Sequence, residues 1–127
     1  AIKVTKGYAM TPTFRSLAAA FAALGVATAA YAHHGWSEYD SAQVLNVSGT
    51  ILESGYEHPH GYVHLEAAGK LWTVVLAPPS RMENRGLAPA MLNAGVKAKV
   101  EGYPSRSDPG ELRAERITVD GKTIELR

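Results

Sequence analysis

Five histidines are the residues of this sequence best suited to chemistry, and all of them fall between positions 33 and 64. They are His33, His34, His58, His60 and His64. Neutral imidazole is the commonest protein ligand for transition metals, and the chain has no cysteine to supply a thiolate. The clustering therefore predicts a nitrogen-ligated metal site. The missing cysteines exclude disulfides, thiolate nucleophiles and cysteine-ligated metal clusters.

The segment 17–32 determines where the first two histidines would stand in a processed protein. Its sixteen residues carry no charge, follow Arg15 and end in Ala30-Tyr31-Ala32. A basic start, an apolar centre shorter than the roughly 20 residues of a membrane span and a small-x-small end are typical of a cleaved secretory signal. We interpret 10–32 as that signal and 1–9 as a translated segment upstream of Met10. An uncleaved membrane anchor and a buried N-terminal helix are the alternatives.

The composition is that of one small domain. The chain has 127 residues, of which 46% are hydrophobic and 20% charged, which leaves room for a single core. Removing Lys3, Lys6 and Arg15 with the signal leaves ten of thirteen basic residues against twelve acidic ones, a net charge of −2. This charge argues against nucleic-acid binding, and no Walker or Rossmann glycine pattern is present. We expect a periplasmic or secreted protein without a stable membrane anchor after cleavage.

Alternating apolar residues predict that 33–127 folds as a small OB-like closed β-barrel of five to six strands. Alternation over 44–53, 61–67, 71–76, 96–101 and 112–119 indicates half-buried strands. A capping-box pattern at 80–83, with Gly86 after it, predicts a short helical insertion between strands three and four. The apolar parity switches between Ala114 and Ile117, as a β-bulge would cause. Because a helix between strands three and four favours the barrel, a β-sandwich is the second choice.

Several short motifs resemble a family of small exported bacterial proteins of unknown function. They include Ala32-His33-His34-Gly35-Trp36, Tyr39-Asp40, His58-Pro59-His60-Gly61 and Gly102-Tyr103-Pro104. In that family the processed chain begins with His-His shortly before an aromatic residue, and an Asn-Pro-His motif follows the first strand. His58 departs from that motif, since Asn is more usual there. The resemblance implies export and a compact β fold, and it implies no activity.

His33 and His34 are the first candidate ligands. Cleavage after Ala32 would make His33 the N-terminal residue, whose amine and imidazole can chelate one metal ion together. A further histidine would complete the three-nitrogen arrangement called a histidine brace, which suits copper. His34 offers a second mode, through the amine, a deprotonated amide and its own ring. Nitrogen donors favour copper by the Irving–Williams order, with zinc and nickel as alternatives.

His58 and His60 are the second pair of candidates. Residues two apart in an extended segment point to the same side, so both rings could face one metal ion. A proline-containing loop with solvated histidines is the competing interpretation. His60 is the stronger candidate because the resembling family retains it. His64 shares the outward-facing side of its predicted strand with Tyr62 and Glu66, so we expect it at the surface.

These features predict an exported copper-binding protein that acts as a carrier, buffer or sensor rather than as a catalyst. A metal-independent periplasmic module that binds a partner protein or ligand through Trp36, Tyr39 and Tyr62 is one alternative. The other is a histidine-brace copper redox enzyme. Aromatic residues also plug the ends of small barrels, and we favour that role for these side chains.

The signal-peptide pattern makes a direct prediction about the mature N-terminus. Protein recovered from the exported fraction should begin at His33, because signal peptidase cuts after small-x-small sites. Intact-mass measurement and N-terminal sequencing test this. Retention of residues 17–32 would contradict it and would remove the free amine of His33 from consideration as a ligand.

Overall fold

The computed structural model describes residues 35–127, which form six β-strands and one short α-helix. Helix α1 covers Pro79–Asn84, and 3-10 turns cover Trp36–Glu38 and Pro89–Leu92. The predicted upstream segment, the signal and His33 and His34 lie outside the described residues. Within 35–127 no helix has the length and apolar character needed to cross a membrane. The strands are β1 Leu45–Gly55, β2 Tyr62–Ala67, β3 Lys70–Val75, β4 Lys97–Pro104, β5 Glu111–Val119 and β6 Lys122–Glu125.

The strands close into a five-stranded barrel with β6 added beside β5. The order is β3-β2-β1-β4-β5-β6, and every neighbouring pair is antiparallel. A parallel pairing of β3 with β5 joins the two ends, with Val74 opposite Leu112. The helix stands between β3 and β4. The predicted OB-like barrel with its helical insertion is confirmed.

Two-residue turns set the register of two hairpins. Ala68 and Gly69 have φ of 51° and 79°, and Asp120 and Gly121 have φ of 52° and 73°. Positive φ at both central residues defines the type I′ turn, whose twist matches that of paired strands. These turns fix which residues of β2, β3, β5 and β6 face inward.

The predicted bulge in β5 is present at Glu115. Glu101 pairs with Arg116 and Gly102 pairs with Ala114, so Glu115 has no opposite residue. Gly102 is required beside the bulge, since a Cβ there would collide with the carbonyl oxygen of Arg113. The bulge lets Ala114 and Ile117 both face the core despite their opposite parity.

The core contains most of the residues that alternation selects. The apolar positions of the predicted strands that are buried are Ile51, Val63, Leu65, Val74, Ala98, Val100 and Ile117. Val47, Trp72 and Val96 are only partly buried and pack against the core. Met82, Leu87 and Leu92, from the segment between β3 and β4, are also fully buried and complete the core.

The predicted capping box at 80–83 is wrong. Pro78 occupies the N-cap position, no side chain caps the helix, and Pro79 begins it. A proline at the first helical position needs no hydrogen-bond acceptor for its nitrogen and has the helical φ already fixed. Gly86, with φ of 90°, follows the helix end as predicted.

The inward and outward sides of the β2–β3 hairpin should differ sharply in stability. Leu65→Ala removes a fully buried side chain and should lower the free energy of unfolding by about 2–5 kcal/mol. Leu71→Ala, at a position 54% exposed, is the matched control and should change it by less than about 0.5 kcal/mol. Urea denaturation measures both, and equal losses would contradict the assigned faces.

Candidate functional site

A short segment before β1, residues 35–40, lies across the outer face of the barrel and is called the arm here. The backbone N–H of Asp40 donates to the carbonyl of Pro104 at 2.9 Å, and Tyr39 forms a β-bridge with Ser105. Arg106 holds the other side of the arm. Its backbone N–H donates to the carbonyl of Glu38 at 2.9 Å and its Nε donates to the carbonyl of Ser37 at 3.1 Å. The arm is therefore fixed to the end of β4 and the loop that follows it.

The arm covers Arg113, the only charged residue classed as buried among residues 35–127. Leu112 and Ala114 on either side face the core, so alternation along β5 turns Arg113 outward. The Arg113 guanidinium carbon lies 4.2 Å from the ring centre of Trp36 and 5.9 Å from that of Tyr39. These aromatic rings and the neighbouring strands leave Arg113 only 5% exposed.

His60 meets Arg113 at this face. Nη2 of Arg113 lies 3.3 Å from Nε2 of His60. Arginine has only donors, so in this contact Nη2 donates and Nε2 accepts. The contact thus favours the neutral form of His60, which places no second positive charge next to the guanidinium.

Further positive charge surrounds Arg113. The guanidinium carbon of Arg127 lies 4.5 Å from the ring centre of Trp36, and Nη1 of Arg127 lies 3.6 Å from Oε2 of Glu115. Burial lowers the pKa of Arg113, and the charges of Arg81 and Arg127 lower it further. Because a guanidinium remains protonated in proteins, three guanidinium charges lie near this face, one of them, that of Arg127, opposite Glu115. We call Trp36, Tyr39, His60, Arg113 and Arg127 the outer-face cluster.

Tyr39 anchors the arm to the barrel through its buried side chain. It is 4% exposed, and its hydroxyl donates to Oε2 of Glu111 at 2.6 Å. Burial, followed by this hydrogen bond, raises the pKa of Tyr39 well above its ordinary value of 10.0. Tyr39 therefore positions the arm and does not line an open pocket.

Of the other candidate histidines, His58 and His64 lie apart from this cluster, and His33 and His34 lie outside the described residues. His58 is exposed in the loop between β1 and β2. His64 is half-buried on the outer face of β2, where Nδ1 lies 3.4 Å from Oε2 of Glu53 and its ring lies 5.2 Å from that of Tyr62. Within residues 35–127 no three His, Asp or Glu side chains are grouped to hold a metal ion.

Tyr56, the first residue after β1, has a structural role. It packs against the core, and its hydroxyl donates to the carbonyl of Leu87 at 2.6 Å. Asp40, the last residue of the arm, accepts from the backbone N–H of Ala42 at 3.1 Å and from Nε2 of Gln43 at 2.9 Å. These two hydrogen bonds lower its pKa and make it a turn residue.

Sequence reasoning missed Arg113 and Arg127. Alternation along β5 places Arg113 on the outer face, where a charged side chain is expected to meet water. The sequence contains no sign that a segment more than 70 residues earlier covers it. Contacts between such distant segments are decided by how the barrel closes.

Together these observations define a small OB-like barrel protein whose arm buries an arginine next to a histidine. Residues 22–112 match the sequence model of a protein family that is described as a family of unknown function (DUF6152). The chain belongs to this family. A search of curated proteins found no match.

A solved structure that is similar to this chain is titled "Crystal structure of the TiaS-tRNA(Ile2)-ATP complex". The sequence identity is 16% and the TM-score is 0.47. The match covers 70% of this chain and 20% of that one, so this chain spans about a fifth of the length of its structural relative.

The buried Tyr39–Glu111 hydrogen bond makes stability depend on pH in the alkaline range. A raised pKa in the folded state means that Tyr39 stabilises the fold fully below about pH 10, its ordinary pKa, and loses this effect as pH rises above it. Tyr39→Phe should lower the free energy of unfolding by about 1–3 kcal/mol at neutral pH. The difference from wild type should shrink above about pH 10.

Urea unfolding at several pH values measures this difference. Tyr62→Phe, which alters a tyrosine on the outer face of β2, is the control for general tyrosine ionisation. A Tyr39→Phe effect that stays constant with pH would contradict the assigned role of the hydroxyl.

Proposed function

We propose that this protein is exported, is cut after Ala32 and binds a transition metal ion, copper above others, through His33 and His34. It acts as a carrier, buffer or sensor of that metal. The sequence supports this proposal through the Ala-x-Ala pattern, the adjacent histidines and the absence of cysteine. Nitrogen ligands without thiolates favour Cu(II) in the Irving–Williams order, and zinc and nickel are weaker candidates.

One structural observation carries the choice of His60 as the further ligand. Trp36 and His60 both contact the Arg113 guanidinium, at 4.2 Å and 3.3 Å. His60 therefore lies on the same face of the barrel as Trp36.

The donor chemistry fits a three-nitrogen site. A free amine and the imidazole of His33 would supply two nitrogens, and the His60 imidazole would supply the third. His34 and His58 are the other candidate ligands; His58 is exposed in the loop that ends at His60. Nε2 of His60, the atom that would bind the metal ion, already contacts the positively charged guanidinium of Arg113. Binding of a metal at Nε2 requires this guanidinium to move aside.

The test compares N-termini as well as side chains. One additional residue before His33 should weaken Cu(II) binding about tenfold or more, as should His33→Ala, since both remove a nitrogen ligand. His60→Ala should weaken it as well, whereas His64→Ala, which removes a ring paired with Glu53, should change it little. Competition with a copper chelator, followed by visible absorption and EPR, measures these affinities.

Other binding modes give distinguishable patterns. If His33 and His34 alone chelate the metal, His60→Ala should not change the Cu(II) affinity, and the protein should still bind copper after the barrel unfolds. A site at His58, His60 and His64 would ignore the N-terminal extension and respond to all three alanine substitutions. Equal copper affinity of the extended and native N-termini would overturn the proposal that the amine is a ligand.

Arg113 offers a second check on His60. If the guanidinium competes with the metal for Nε2, Arg113→Met should tighten Cu(II) binding, because a neighbouring positive charge is removed. Lys99→Met removes the same charge from an exposed position on β4 and is the matched control. An equal effect of both variants would show that only net charge matters.

A further inference from the structure

We propose that Arg113 and Arg127 form a binding site for the oxyanion group of a small ligand, a carboxylate or a phosphate. The site borders Trp36 on the outer face of the barrel. It goes beyond the proposed metal binding and does not depend on it.

The first argument is the unsatisfied charge of Arg113. The side chain is 5% exposed, and its buried Nε has no hydrogen-bond partner. Within residues 35–127 no carboxylate forms an ion pair with it, and its Nη2 lies 3.3 Å from Nε2 of His60. Burying a charged group without a counter-charge is strongly unfavourable unless another interaction compensates for the lost hydration. Cation–π contact with Trp36 supplies only part of that compensation.

The second argument is the charge around Arg113. Arg127 shares the Trp36 ring with it, and Arg81 is close enough to lower its pKa. The carboxylates near this face have other partners, since Glu111 accepts from Tyr39 and Glu115 faces Arg127. Neither Glu111 nor Glu115 forms an ion pair with Arg113, so a bound anion would supply the counter-charge that this guanidinium lacks.

The third argument is the geometry of the donors. A guanidinium presents planar N–H groups that match two oxygens of a carboxylate or phosphate. Nε of Arg113 has no acceptor and is buried, so an anion must displace the residues that cover it to accept its hydrogen. Arg127 is the accessible partner, because its side chain is 53% exposed, and we expect it to turn from the Trp36 ring toward an anion. Ligand binding would then change the surroundings of the indole.

Trp36 fluorescence provides the readout. Trp36 and Trp72 are the two tryptophans of the chain, so a Trp72→Phe background isolates the signal. The full-length protein, freed of metal on a chelating resin and carrying His33→Ala, is titrated with inorganic phosphate and, separately, with acetate. Chloride at equal ionic strength is the control for screening. The His33→Ala change keeps a failure of this proposal distinct from a failure of metal binding.

We expect a saturable change in Trp36 fluorescence with phosphate, acetate or both, and the tighter of the two identifies the preferred oxyanion. Arg113→Met and Arg127→Met should each weaken binding at least about tenfold, a loss of one charge-assisted contact. Lys99→Met should leave it unchanged. Because Arg127 is exposed, its variant tests the site even if Arg113→Met impairs folding.

Three results would overturn the proposal. One is a response that does not saturate. Another is an identical response to chloride at equal ionic strength. The last is unchanged oxyanion affinity in folded Arg127→Met protein.

Discussion

The parallel pairing of β3 with β5 is the contact on which the rest of this structure depends. It places Val75 beside Arg113 and Val74 beside Leu112, joining segments nearly 40 residues apart in the chain. Without it the sheet would have two open edges and the apolar sides of the strands would face water. Closure buries Leu112 and Ala114 and, by alternation, fixes Arg113 on the outside.

Closure also decides what Arg113 meets. Gly61 continues the pairing of β2 with β3 through hydrogen bonds with Leu76 and Ala77. His60, one residue earlier, therefore comes to the same end of β3 as Arg113. The arm then covers both from outside, held by Tyr39 and by the loop after β4. The outer-face cluster is thus a product of three segments that only the closed barrel brings together.

The two proposals concern opposite charges at one face, and the same guanidinium connects them. A metal ion at His60 and an anion at Arg113 would each relieve the other's electrostatic cost, because a cation raises the affinity of a nearby site for an anion. As the face now stands, Arg113 carries its charge against aromatic rings and a neutral imidazole. This unneutralised charge is the feature that most requires a functional explanation.

The sequence by itself determined the barrel, its helical insertion, the bulge in β5 and most of the core. These follow from local patterns: period-two alternation, Gly86 after the helical segment, and the parity switch between Ala114 and Ile117. Only the tertiary structure decided that Arg113 is buried and that Trp36 and Tyr39 cover it on the outside of the barrel. It also decided that His60 contacts Arg113 while His58 and His64 lie elsewhere. Burial of an outward-facing residue depends on segments distant in the chain, and local periodicity contains no information about which segment will cover it.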